Sequence, residues 1–70
     1  MTRVIRNRDG SYFKRGGAWT TYFEEAEKFP DAGEVLVARY NYHLENVDLV
    51  LVIWDQPCQG WDMVLPLSSN

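Results

Sequence analysis

The chain has 70 residues, 46% of them hydrophobic, and seven Lys and Arg against ten Asp and Glu give it a formal charge of −3. That length holds a single globular domain, residues 1–70, and excludes a multidomain enzyme, while the composition excludes a coiled coil and a disordered tail. One cysteine, Cys58, excludes an internal disulfide scaffold and any zinc site that needs two thiolates.

The longest apolar run, residues 49–54, is too short to cross a bilayer, and residues 1–6 lack the apolar stretch of a signal peptide. The expectation is a reduced, cytoplasmic protein with no membrane partner and no cofactor. A domain of this size buries a modest core, so its ten aromatic residues are expected to supply bulk that a longer chain would spread over more residues. Homodimerisation is the other common remedy for a small core and stays open.

A hairpin comes first. Residues 3–7 and 11–15 flank Arg8-Asp9-Gly10, and Asp-Gly tolerates the positive φ of a tight turn. A two-residue loop leaves no apolar face. A three-residue loop with Gly10 left-handed pairs Arg6 with Tyr12 and Ile5 with Phe13. This register places Ile5 and Phe13 on a core face and Val4, Arg6, Tyr12 and Lys14 on an outer face.

Gly16-Gly17-Ala18 is expected to break the strand, with Trp19 closing over the start of a helix. Thr21 to Glu24 has the spacing of a capping box, and Tyr22, Ala26 and Phe29 recur at helical spacing up to Pro30. Asp31 to Glu34 repeats the cap signal, so a second helix is expected through Val35, Leu36, Ala38, Arg39 and Tyr42. A strand competes there, because residues 36–44 also alternate with period two. Residues 47–54 form the clearest strand, apolar enough to be central. Trp61, Met63, Leu65 and Leu67 alternate with Asp62, Val64 and Pro66, which predicts a strand with one apolar face. Pro66 among them marks an edge strand. The predicted fold class is α+β, a small ββααββ domain with an antiparallel sheet packed against one or two helices.

Val4-Ile5-Arg6-Asn7, then Gly10 and Tyr12, then Trp19-Thr20, then Glu25-Ala26 and Phe29 resemble a pattern in small uncharacterised proteins of phage and prophage genomes. The resemblance covers residues 4–29. It implies a genomic context and no chemistry, since the matching residues are turn, cap and packing types.

Charge is unevenly spread: residues 1–18 carry +4 and residues 19–70 carry −7. The hairpin is thus a basic wing on an acidic body. Arg6, Arg8, Lys14 and Arg15, with Tyr12 between them, form the first candidate surface for an acidic protein or for phosphates. The plainer reading is an exposed hairpin kept soluble by charge and paired with the acidic first helix. Trp54 and Trp61 flank one loop and are candidate binding anchors, against the alternative that they close the core. The unpaired sheet edge from Trp61 to Leu67 is the second candidate surface. Cys58 and His43 have no orienting third group at a recognisable spacing, and Asp55 with Asp62 suits turns as well as acid–base chemistry. No catalytic, cofactor or metal residue is therefore assigned.

The expected function is that of a small non-enzymatic interaction protein. In the setting the resemblance implies, it would occlude a host protein machine of transcription or of antiviral defence such as CRISPR. The alternative is a nucleic-acid-binding regulator that uses the basic hairpin.

Overall fold

The first turn is built around one side chain. Asn7 Oδ1 accepts the backbone N–H groups of Asp9 and Ser11, each at 2.9 Å, while Gly10 donates to the Asn7 carbonyl at 3.1 Å. Gly10 sits at φ 90°, where a side chain is strained. The loop thus spans residues 8–10, and Arg6 stands opposite Tyr12, the register expected from the apolar pattern. A computed structural model of the chain describes residues 2–53, 57 and 61–67. The two strands of this hairpin are β1 (Thr2–Asn7) and β2 (Tyr12–Lys14).

Gly16 and Gly17 make a second hairpin where a chain break was expected. Both have positive φ, 91° and 87°, and Gly17 N–H reaches the Lys14 carbonyl at 3.2 Å. The chain returns as β3 (Ala18–Thr20), which puts Trp19 opposite Phe13 on β2. Trp19 is therefore a strand residue and does not cap a helix.

The helix expected after Thr21 is absent. A single 3-10 turn, Phe23–Glu25, takes its place, and the chain is already extended at Ala26. Thr20 does the work expected of Thr21: its hydroxyl accepts Tyr22 N–H at 3.1 Å and donates to Glu25 Oε1 at 2.8 Å. The reason lies in where the apolar residues must go. Ala26 packs in one core cluster and Phe29 in the other, on opposite faces of the sheet. A helix would carry both on one stripe. The extended chain instead lies between β1 and β2, with Glu27 N–H donating to the Phe13 carbonyl and Phe29 N–H to that of Arg3, both at 2.9 Å. Lys28 steadies the bend. Its Nζ donates to the carbonyls of Phe23 at 2.6 Å and Ala26 at 3.0 Å, 4.6 Å from the Phe23 ring centre.

The helix expected next is present as α1 (Ala32–Asn41), with Asp31 as N-cap accepting Glu34 N–H at 2.9 Å. β4 (Val47–Val52) lies between β1 and the last strand, β5 (Met63–Pro66), as an apolar central strand should. The result is an α+β domain: among the described residues, a five-stranded antiparallel sheet of order β3-β2-β1-β4-β5 with one α-helix. The element order differs from ββααββ in two ways: a third strand precedes the place of the first expected helix, and a 3-10 turn followed by extended chain occupies that place.

Both faces of the sheet are covered. On the α1 side Ile5, Phe13, Val47, Leu49 and Leu67 pack with Val35, backed by Phe29, Ala38 and Leu44. On the other side Val4, Tyr12, Val50 and Val52 pack with Ala26 and Phe23. The expected outer face is thereby corrected for Val4 and Tyr12, which are buried. The segment after β3 shields them, at about 1.5–3 kcal/mol for a fully buried large apolar side chain.

Candidate functional site

The basic hairpin was the first candidate surface, and the fold uses much of its charge internally. Lys14 Nζ lies 3.8 Å from Glu25 Oε1. Arg15 reaches Glu27 Oε1 through Nη2 at 3.2 Å and Nε at 3.3 Å. Arg6 stands opposite Asp48 on β4. Arg3, not a candidate, donates from Nη1 to the Pro30 carbonyl at 3.1 Å. Tyr12 packs its ring edge-on to Phe23, with centroids 5.7 Å apart. It is buried, so an exposed Arg6–Tyr12 stack does not form. Arg8 is exposed in the turn. These surface pairs contribute little to stability, about 0–1 kcal/mol each, but they lower the positive potential available to phosphates.

Trp61 is exposed. Trp54, Cys58 and Asp55 lie outside the described residues, so the pairings considered for them do too. His43 follows α1 in the left-handed region, φ 54°, and lines a shallow depression with Arg39, Tyr40, Leu44 and Glu45. Arg39 is held at one side of it by donating from Nε to the Leu67 carbonyl at 3.0 Å. Among the described residues no group of three or more His, Cys, Asp and Glu could hold a metal ion. Nor is any helix among them long and apolar enough to cross a membrane.

Large apolar side chains are exposed singly at Trp19, Tyr22, Tyr42 and Ile53, and in groups in two places. The first is β5, where Met63 (61% exposed), Val64 (45%) and Leu65 (57%) follow exposed Trp61. By register, Met63 and Leu65 point to the α1 face and Val64 to the other. Neither side chain row is shielded, because β5 is the edge strand. Its outer rim can be read from one bond. Leu67 N–H donates to the Val47 carbonyl at 2.9 Å, so by alternation Leu65 and Met63 face β4. Val64 and Pro66 face the open side. Pro66 is tolerated there because its missing N–H is not needed by the ladder.

The second place is the outer face of α1, where Leu36, Val37 and Tyr40 are exposed. Sequence reasoning passed over this face, although its signal was present. Val35, Leu36, Val37, Ala38, Tyr40 and Tyr42 leave α1 apolar nearly all round, which is unusual for a surface helix. The edge-strand candidate had a plainer mark in Pro66.

Compared with protein-family models, with curated proteins and with solved structures, the chain matches none.

Proposed function

We propose that this chain is a small non-enzymatic protein that acts by binding another protein through exposed apolar surface. One observation carries the reading: exposed large apolar side chains are grouped on α1 and on β5. Apolar patches of this kind mark interaction surfaces on soluble proteins. The internal pairing of Lys14 and Arg15 supports a protein partner over phosphate, because phosphate binding draws on free cations. In the phage setting that the resemblance implies, the partner is a host protein machine, blocked sterically.

The test is affinity capture from bacterial lysate with nuclease present, comparing the wild type with Leu36→Asp/Tyr40→Asp and with Arg6→Glu/Arg8→Glu. Capture of one protein in fixed ratio, lost in the α1 variant and kept in the hairpin variant, is the expected result. Capture that disappears with nuclease, or that depends on Arg6 and Arg8 alone, refutes the apolar reading and turns the assignment to nucleic acid through the hairpin.

A further inference from the structure

The end of α1 is closed by an unusual residue for its position. Leu44 N–H donates to the Arg39 carbonyl at 3.0 Å, and His43 N–H to that of Tyr40 at 3.3 Å. This is the helix stop whose left-handed position glycine usually fills, since glycine has no Cβ to clash there. Here the position holds His43, at φ 54°. At the other left-handed positions among the described residues the chain uses glycine (Gly10, Gly16, Gly17) or asparagine (Asn46), which tolerate them well. Backbone strain collects at functional sites, and His43 lines the depression beside the end of α1.

Three polar side chains line that depression, and among the described residues none of them satisfies another. Arg39 is half-buried, and its bond from Nε to the Leu67 carbonyl fixes the guanidinium while leaving both Nη groups without a partner. The Glu45 carboxylate and the His43 ring make no hydrogen bond or ion pair either. Opposite charges thus line one depression without pairing. Glu45 follows the C-terminal end of α1, where the helix dipole adds negative potential. Leu44 and Tyr40 supply apolar wall. The volume, about 190 Å³, lies below the roughly 300–1,000 Å³ of pockets for drug-sized ligands. We propose that this depression binds a free α-amino acid with an apolar side chain. Its carboxylate takes the Nη fork of Arg39, with the imidazole of His43 beside it. Its ammonium takes Glu45, and its side chain lies on Leu44 and Tyr40. Glu45 disfavours a simple anion and Arg39 a simple cation, so the site selects both charges on one small molecule. The proposal does not rest on the apolar docking reading, and its test needs no other protein.

Titration of the isotopically labelled full chain with leucine, to about 50 mM, followed by NMR of its backbone amides, decides it. Signals of residues 39–45 are expected to shift and to saturate in the millimolar range, because the site is open to water. N-acetylleucine lacks the ammonium and leucinamide lacks the carboxylate. Each is expected to bind about tenfold more weakly than leucine. Glu45→Gln changes an exposed, unpaired side chain and should leave the fold intact. It is expected to weaken leucine about fivefold or more without weakening N-acetylleucine. His43→Gly is expected to weaken leucine about threefold while the melting temperature holds or rises, since glycine relieves the left-handed strain. No saturable shift at residues 39–45 overturns the proposal. Equal binding of leucine and N-acetylleucine does so too, because it shows a site for carboxylate alone. So does leucine binding that neither Glu45→Gln nor His43→Gly alters.

Discussion

Phe13→Ala is expected to remove about half of this domain's stability or more. Phe13 is 2% exposed, and its ring touches three others: Tyr42 at 5.1 Å and Trp19 at 5.8 Å, both edge-on, and Phe29 stacked at 6.4 Å. These residues come from β2, β3, the end of α1 and the extended chain before it, so one side chain ties four parts of the fold together. Truncating a buried Phe loses its transfer energy and leaves a cavity, about 3–5 kcal/mol in total. At about 0.05–0.15 kcal/mol per residue, 70 residues hold only about 3.5–10 kcal/mol. The melting temperature should therefore fall by more than about 12 °C, at about 4–8 °C per kcal/mol. Urea titration followed by circular dichroism and tryptophan fluorescence measures the loss directly. A Phe13→Leu/Tyr42→Leu cycle should give a coupling of about 0.5–1.5 kcal/mol. A loss below about 1.5 kcal/mol for Phe13→Ala, at unchanged slope, would refute the claim that this aromatic cluster organises the fold.

Further variants probe three local devices. Gly16→Ala and Gly17→Ala both force a side chain into positive φ, costing about 1–2 kcal/mol each. Gly17→Ala should cost more, because its Cβ would lie 3.3 Å from Tyr42 Cδ1 while that of Gly16 meets nothing. Equal losses in matched urea titrations would remove Tyr42 from the account. Asn7→Ala deletes the acceptor for Asp9 and Ser11 and should lose about 1–2 kcal/mol by thermal melting, with Asn7→Asp losing less. Thr20→Val deletes the hydroxyl that links Tyr22 N–H to Glu25 and should lose about 1–3 kcal/mol, while Thr20→Ser should recover most of it. A Thr20→Val protein as stable as the wild type would show that the 3-10 turn forms without that link.

The candidate site was legible only where its signal was local. Pro66 marks an edge from sequence alone, because a proline cannot serve a central ladder. The charges of Lys14 and Arg15 were also legible, but their partners Glu25 and Glu27 reach them only through the bend after β3. The outer face of α1 was missed because an apolar helix invites burial on every side, and only the assembled fold shows that one side has no cover.

Short-range chemistry determined three features of this protein without help from the rest of the chain. Gly10 and the alternation around it set the first hairpin's register, Asp31 set the start of α1, and the unbroken apolar run made β4 an interior strand of the sheet. Each depends on residues within a turn or two of one another. Residues 16–29 were decided by the tertiary structure. Their glycines, cap residues and apolar spacing suit a helix as well as a hairpin and an extended strap. The strap wins because Glu27 and Phe29 donate to carbonyls of Phe13 and Arg3, and because Ala26 and Phe29 are needed on opposite faces of the sheet. Those partners are distant in sequence, and helical periodicity carries no information about them. The same strap buries Val4 and Tyr12, and with them the exposed tyrosine that the hairpin pattern led one to expect.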